Sequence, residues 1–300
     1  MTAPPIGSIL VGVDIALREG PDPVLATAAA LAQVLRAELH VVHAVESGPV
    51  TPPLLPSVTQ GLETAARALD LYLDKALLQG QAFASRHVGL DRAHRVLAAR
   101  AHEVSADLVV VGPHRGGVLG RALGTTTDRL LRTLHTPCWV ARGGLDLPLR
   151  RLAVATDFSD LSRPALDFAL LLARDLGGAA TVGAPRPDLD VLNVEWPAAL
   201  DDDPDREEGV LIPQLADEIA AAKGRTGLDH VAVVHPRVVA ALDPSRGILS
   251  HAAEYHPGVV VLGTHGHGAL ARTLLGSVAS IVAREAPGHV VLVAPREVES

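Results

Sequence analysis

Residues 258–278, GVVVLGTHGHGALARTLLGSV, form the stretch of sequence that decides the fold. It opens with the uninterrupted apolar run Val259–Leu262, which is typical of a short strand buried on both faces of a parallel sheet. A glycine-rich loop follows, and apolar residues then recur at helical spacing from Val278. The stretch therefore predicts a strand, a glycine-rich loop and a helix that begins at Gly276–Ser277, with the serine as a candidate cap.

The start of this helix is suited to binding phosphate. Its first backbone N–H groups are unpaired, and the positive end of the helix dipole faces outward. A second interpretation is that the glycines merely allow tight turns. The loop lacks the Gly-Lys-Ser/Thr ending of a phosphate loop, and no GxGxxG motif follows a strand, so two other phosphate-binding classes are excluded.

Length and composition indicate a globular chain with two domains. The chain has 300 residues, of which 48% are hydrophobic and 20% charged, enough for two domains of about 150 residues, each with its own core. No run of about 18 apolar residues and no signal-peptide pattern is present, so we expect a soluble, cytoplasmic protein with no membrane partner. The single cysteine, Cys138, excludes an intramolecular disulfide, and its apolar neighbours favour a packing role.

Charge is distributed unevenly along the chain. Residues 1–150 contain 14 Lys and Arg against 13 Asp and Glu, whereas residues 151–300 contain 12 against 21, so that the net charges are +1 and −9. A phosphate bound in the second half must therefore be held by local backbone dipoles and not by a general positive field. The acidic balance and the scarcity of Phe, Tyr and Trp argue against a nucleic-acid partner.

The two halves of the chain are copies of one unit. Residues 8–14, SILVGVD, match residues 151–157, RLAVATD, and residues 107–114, DLVVVGPH, match residues 258–265, GVVVLGTH. A turn-rich connector at 143–148 separates the copies. The sequence therefore predicts one domain at 1–145 and a second at 149–300.

Strands alternate with helical segments in both copies, which predicts two doubly wound α/β domains, each with five parallel strands. In the first copy the third strand is hardly visible at 83–90, and we expect it to be rudimentary or lost. In the second copy we expect the third strand at 229–235. Ser162 stands before Arg-Pro and is a candidate cap for a helix over 165–176.

The glycine spacing, together with the repeat, resembles a known family. Gly263, two residues, Gly266, nine residues and Gly276-Ser277, placed directly after a buried strand, are similar to the nucleotide-binding signature of the universal stress protein family. The resemblance covers nearly the whole chain as a tandem of two such domains. It implies a Rossmann-like sheet order of 3-2-1-4-5, with the ligand in the crevice between strands one and four.

The resemblance also implies an ATP site, with or without Mg²⁺, in the second copy. In it, an aspartate and the strand-two backbone would meet the adenine, the end of strand four would line the ribose, and the loop and helix start would hold the phosphates. The residues at these positions are Asp157, Val194, Leu262, Gly263, His265, Gly266, Gly276, Ser277 and Val278.

The first copy departs from the signature. It keeps Asp14, but Pro113 removes a backbone donor, and Arg115 stands where the second glycine belongs. Its loop is also one residue shorter before Gly124. We expect a degenerate nucleotide loop in the first domain, although Arg115 could still pair with a phosphate.

The sequence shows no evident catalytic group. The lysines, Lys75 and Lys223, are far from the glycine loop, and no nucleophile lies beside a base. The pair His265 and His267 lacks partners at metal-binding spacing, so we expect no metal site. The acidic run 201–208 is interpreted as a solvated loop, which could instead recruit a divalent cation.

Three functions remain open on the sequence alone. The first is an ATP-binding regulatory module of the stress response that is not an enzyme. The alternatives are a slow Mg²⁺-dependent ATPase or nucleotide hydrolase and a structural tandem that binds nothing. In single-domain relatives two copies pair through their last strands, so the resemblance implies that the fifth strands at 137–142 and 289–294 form an intramolecular pseudo-dimer. A homodimer is a further possibility.

Overall fold

The computed structural model describes residues 6–15, 22–46, 55–76, 81–113, 125–178, 185–197, 206–265 and 275–295. The strands are β1 (Ser8–Gly12), β2 (Glu38–Val45), β3 (Ser85–Leu90), β4 (Leu108–Val111), β5 (Cys138–Val140), β6 (Arg151–Ala155), β7 (Asp188–Glu195), β8 (Val233–Ala240), β9 (Val259–Gly263) and β10 (His289–Val293). The helices are α1 (Pro23–Leu35), α2 (Leu55–Lys75), α3 (Ala93–Glu103), α4 (Thr125–Leu131), α5 (Arg163–Leu176), α6 (Ile212–Thr226), α7 (Pro244–Tyr255) and α8 (Ser277–Glu285). A π-helical turn, Glu207–Leu211, leads into α6.

All ten strands belong to one sheet in the order β3-β2-β1-β4-β5-β10-β9-β6-β7-β8. Within each half the neighbours are parallel, and each half has the order 3-2-1-4-5. The predicted fold class is confirmed in both copies. The crevice at which the strand order reverses lies between β1 and β4 in the first copy and between β6 and β9 in the second.

The two halves join where β5 pairs with β10 in antiparallel orientation. Three residue pairs form this seam: Cys138 with Leu292, Trp139 with Val291, and Val140 with Val290. Trp139 is fully buried there, and its ring centroid lies 5.6 Å from that of His289. The seam makes the sheet continuous from one copy into the other.

Helices cover both faces of the sheet. One apolar cluster packs α1, α2, α5 and α6 onto one face, and a second cluster packs α3, α4, α7 and α8 onto the other. Apart from His289 at the start of β10, the central strands β4, β9 and β10 consist of apolar residues and glycine, because both of their faces are buried. In the described part of the chain, no helix has the length and apolar character needed to cross a membrane.

The expectation for the third strand of the first copy was wrong. β3 pairs with β2 over six residues, from His40–Ser85 to Val45–Leu90. It lies at an edge of the sheet and is only partly buried, so its sequence lacks an apolar run. Side-chain bonds replace that run: Ser85 Oγ lies 2.7 Å from His40 Nδ1 and accepts from Arg100 Nη2 at 2.8 Å.

Candidate functional site

The residue Asp157 lies just beyond the carboxyl end of β6, at the predicted crevice. Its Oδ1 accepts hydrogen bonds from Ser159 N at 3.1 Å and from Ser159 Oγ at 2.6 Å. An aspartate that bonds the backbone two residues ahead folds the chain into a tight turn. The connection from β6 to α5 therefore bends immediately after the strand.

This turn meets the end of β9 at Gly263. A Cβ added to Gly263 would lie 3.1 Å from Leu161 O and 3.4 Å from Ser162 Cα. Such distances are tighter than most Cβ contacts, so a side chain here would push the turn away from β9. The structure thus brings Asp157 and Gly263 to one crevice, as the topology predicts.

The glycine-rich loop leaves β9 and returns to it. Thr264 N donates to Val293 O at 3.0 Å, and Gly276 N donates to Thr264 O at 2.8 Å. A Cβ on Gly276 would lie 3.1 Å from Thr264 O. The end of the loop is therefore held against its beginning, and α8 begins beside the end of β9.

The prediction of Ser277 as the cap of this helix was wrong. Gly276 is the N-cap, with φ −58° and ψ 145°, and the exposed Ser277 is the first helical residue. Because a glycine cap has no side chain, it leaves the first-turn N–H groups unbonded by the cap residue.

Ser162 also differs from the prediction. It occupies the N-cap position of α5, but its hydroxyl makes no capping bond and donates to Ser159 O at 2.9 Å. The side chain braces the turn after β6 and does not satisfy the helix start. The helix itself begins at Arg163.

The side chain of His265 points back onto the loop start. Its Nδ1 lies 2.8 Å from Thr264 Oγ1, and its Nε2 is buried with no hydrogen-bond partner among the described residues. Such an atom has hydrogen-bonding capacity to offer. Gly266 lies outside the described residues, so its role in the loop stays a prediction.

The remaining predicted residues also lie near the carboxyl ends of β7 and β9, but their side chains are used for packing. Leu262 is buried in the sheet core, and Val278 is half-buried in α8. Val194 packs against α7: a Cβ on Gly247 would lie 2.7 Å from Val194 Cγ1. What Val194 can offer a ligand is its backbone, since its side chain is committed to packing.

A network behind the turn was not predicted from the sequence. Thr156 Oγ1 donates to Glu218, lying 3.1 Å from each carboxylate oxygen, and accepts from Phe158 N at 3.0 Å. Asn193 Nδ2 donates to Thr156 O at 3.2 Å. These bonds link β6, β7 and α6 beneath Asp157. Only the Asp-x-Ser spacing could have indicated the turn, since nothing in the sequence pairs positions 156 and 218.

The side chain of Glu218 is half-buried. Burial raises the pKa of Glu218, against the opposing effect of the Thr156 hydroxyl bond.

Phe158 adopts a left-handed conformation with φ 63°, which is uncommon for a residue with a bulky side chain. An open pocket of about 410 Å³ lies beside Glu218 and Phe158. None of the predicted site residues lines it.

The degenerate loop of the first copy lies mostly outside the described residues, which end at Pro113 and resume at Thr125. The prediction for Arg115 therefore stays a prediction. The acidic run is likewise described only from residue 206 onward.

Among the described residues, no group of three or more His, Cys, Asp or Glu side chains could hold a metal ion. Burial raises the pKa of Cys138 to about 12, which keeps its thiol protonated.

Comparison with known proteins places the chain in a family. The model of the universal stress protein family matches residues 5–142 and again residues 148–294. A universal stress protein of Mycolicibacterium smegmatis is 31% identical over 209 residues, which cover 64% of this chain and 63% of that relative. This match therefore spans less than two-thirds of that relative's length.

A solved structure agrees on the fold of the whole chain. The crystal structure of a universal stress protein from Archaeoglobus fulgidus DSM 4304 superimposes with a TM-score of 0.67 and 16% identity, covering 98% of this chain and 97% of that chain. A universal stress protein solved in complex with cAMP is 24% identical with a TM-score of 0.35, covering 49% of this chain and 98% of that chain. The resemblance inferred from the glycine spacing is confirmed: the chain belongs to the universal stress protein family and carries two of its domains in tandem.

Proposed function

We propose that the second copy binds ATP, with or without Mg²⁺, and that the chain acts in the cytoplasm as a nucleotide-dependent binding module of the stress response. The observation that carries the proposal is the closure of the glycine loop, in which Gly276 N bonds Thr264 O at 2.8 Å. This closure holds the start of α8 beside the end of β9, where Gly263 lies against the turn that follows Asp157. A carboxylate and a helix N-terminus thus border one crevice.

The proposed ligand lies across this crevice. The Asp157 carboxylate, at the start of the turn after β6, meets the adenine edge together with the Val194 backbone. Leu262 and Gly263 line the ribose. The phosphates lie against a set of loop and helix residues: His265, Gly266, Gly276, Ser277 and Val278.

The charge of the second copy favours binding over catalysis. Residues 151–300 carry a net charge of −9, and the one lysine in this half, Lys223, lies near the end of α6. Phosphoryl transfer depends on cations that neutralise charge in the transition state. Backbone amides can hold a triphosphate but supply little of this neutralisation, so ATP is expected to remain intact after it binds.

Isothermal titration calorimetry with ATP and Mg²⁺ tests the proposal. We expect one site per chain and at least a tenfold loss of affinity in Gly276→Val, since its side chain would collide with Thr264 O. The matched control is Gly224→Val: Gly224 is exposed on α6, with no atom within 4 Å of an added Cβ. Equal binding by both variants, or two equivalent sites per chain, would contradict the proposal.

The same samples separate binding from turnover. A binding module leaves ATP intact through many binding half-lives. Hydrolysis at or above roughly 1 s⁻¹, the low end of ordinary enzyme rates, that disappears in Gly276→Val would favour the ATPase. No binding of ATP, GTP or cAMP would favour the structural tandem.

A further inference from the structure

Arg142 of the first copy reaches a helix of the second. It follows β5, and its Nη2 donates to the carbonyl oxygens of Ala283 and Arg284, at 2.7 Å in both cases. Both carbonyls belong to the last turn of α8. A residue of one domain therefore bonds the carboxyl end of the helix whose amino end borders the proposed nucleotide site in the other.

The strand arrangement makes this contact possible. Because β5 and β10 are antiparallel, the carboxyl end of β5 lies beside the start of β10, where α8 ends. The backbone of Arg142 is fixed at the same place: its N–H donates to His289 Nδ1 at 3.1 Å, and His289 Nε2 lies 3.0 Å from Gly144 O. Both the backbone and the guanidinium of Arg142 are thus anchored across the seam.

The helix α8 is short and buries small side chains, and Arg246 of α7 also donates to its Glu285 at 3.2 Å. It spans nine residues, and its buried side chains are Ala279, Val282 and Ala283, two of which are alanines with little surface to pack. Helices this short are marginal without tertiary support. Charge-assisted bonds to the last carbonyls satisfy acceptors that the helix leaves unpaired, and a cation at this end also interacts favourably with the helix dipole.

We propose that Arg142 is a positioning residue for the nucleotide site, through which the first domain sets the position of α8 in the second. The inference rests on the proposed function, since it assigns the phosphates to the amino end of α8. It gives the first copy a role that does not require its own nucleotide loop. That role is support of the second site across the seam.

A matched pair of arginines provides the test. Arg151 in β6 also donates to the carboxyl end of a helix, with Nη1 lying 3.1 Å from Tyr255 O at the end of α7. We expect Arg142→Met to weaken ATP binding roughly 3- to 30-fold, the usual span of coupling through a shared element. Arg151→Met should leave the affinity unchanged, because α7 does not carry the phosphate site. Arg142→Lys, which keeps the charge but not the guanidinium, should recover part of the loss.

Hydrogen exchange without ligand separates this inference from the proposed function. In Arg142→Met the amides of residues 277–285 should exchange faster than in the unmodified chain, whereas in Arg151→Met they should not. If the unmodified chain binds no ATP, the proposed function fails, and the exchange rates alone judge whether Arg142 holds α8. Unchanged exchange, faster exchange with unchanged ATP affinity, or equal losses in both methionine variants would overturn the inference.

Discussion

At the scale of single residues, Gly263 marks a close approach between the end of β9 and the turn after β6. Replacing Gly263 with alanine would place a Cβ 3.1 Å from Leu161 O and 3.2 Å from His265 O, both of them backbone atoms. We expect Gly263→Ala to lower the free energy of unfolding by about 1–3 kcal/mol, the usual cost of forcing atoms into a packed site. Urea unfolding measures this difference.

The control for this variant is Gly224→Ala. Gly224 lies in α6 with open space around it, and alanine in an exposed helix position stabilises by about 0.5–1 kcal/mol relative to glycine. The two substitutions should therefore change the stability in opposite directions. A neutral or stabilising Gly263→Ala would contradict the close approach of the turn to β9.

The two tryptophans provide a direct reporter of binding. Trp139 is fully buried at the seam, whereas Trp196, two residues beyond Val194, is 54% exposed. If adenine binds next to Val194, ATP should change the emission of Trp196. In a fluorescence titration, Trp196→Phe should abolish this change while the emission of Trp139 remains. A change that persists in Trp196→Phe would show that the base lies elsewhere.

The sequence predicted some residues of the site and missed others for a physical reason. Asp157 and Gly263 are marked by their places after apolar runs, and Gly276 by the glycine spacing. Thr156 and Glu218 are not, because their contact joins β6 to α6 across 62 residues. Nothing local distinguishes Glu218 from an ordinary solvated helix residue. The capping of α8 was mispredicted because Ser277 has the right chemistry one position too late.

At the scale of elements, the seam between β5 and β10 depends on a neutral histidine. Burial lowers the pKa of His289, whose Nδ1 accepts a hydrogen bond from Arg142 N. Protonation of His289 at Nδ1 would set a new N–H group against the N–H of Arg142, and this hydrogen bond would be lost. In the unfolded chain the ring titrates near its ordinary pKa of about 6.5, so it takes up protons before the folded chain does. The contribution of His289 to the free energy of unfolding is therefore complete above about pH 6.5. It falls as the pH drops toward the lowered pKa of the folded chain.

We expect urea unfolding of the unmodified chain to show this loss as the pH falls below about 6.5, the ordinary histidine pKa. His289→Asn, which keeps an acceptor but does not titrate, should have a shallower slope over the same range. Other histidines contribute equally to both proteins, so the difference isolates His289. Parallel slopes would mean that this ring does not govern the pH response.

The strands differ in how well they could be predicted. Central strands such as β9 were located correctly because burial on both faces demands a continuous apolar run. The edge strands were not, since β3 was expected to be rudimentary and β8 was placed at 229–235 instead of Val233–Ala240. Pro236 lies inside β8. A proline argues against a central strand but is tolerated at an edge, where one side of the strand lacks a pairing partner.

At the scale of the whole molecule, the seam protects a strand that could not face water. All five residues of β10 are buried, and one side of the strand pairs with β5. A fragment of residues 149–300 would leave that side open, and an apolar open edge recruits another strand. We expect this fragment to dimerise through β10. Analytical ultracentrifugation over a concentration series tests this, and a fragment that stays monomeric would contradict it.

Because β5 and β10 run in opposite directions, the carboxyl ends of the first five strands point one way along the strand axis, and those of the second five point the opposite way. The crevice beyond Asp14 and the crevice beyond Asp157 therefore open on far sides of the molecule. Ligands in the two crevices cannot touch, and a partner that covers one crevice leaves the other accessible. Communication between the two sides can cross the paired strands β5 and β10 and the packing of α1 against α5.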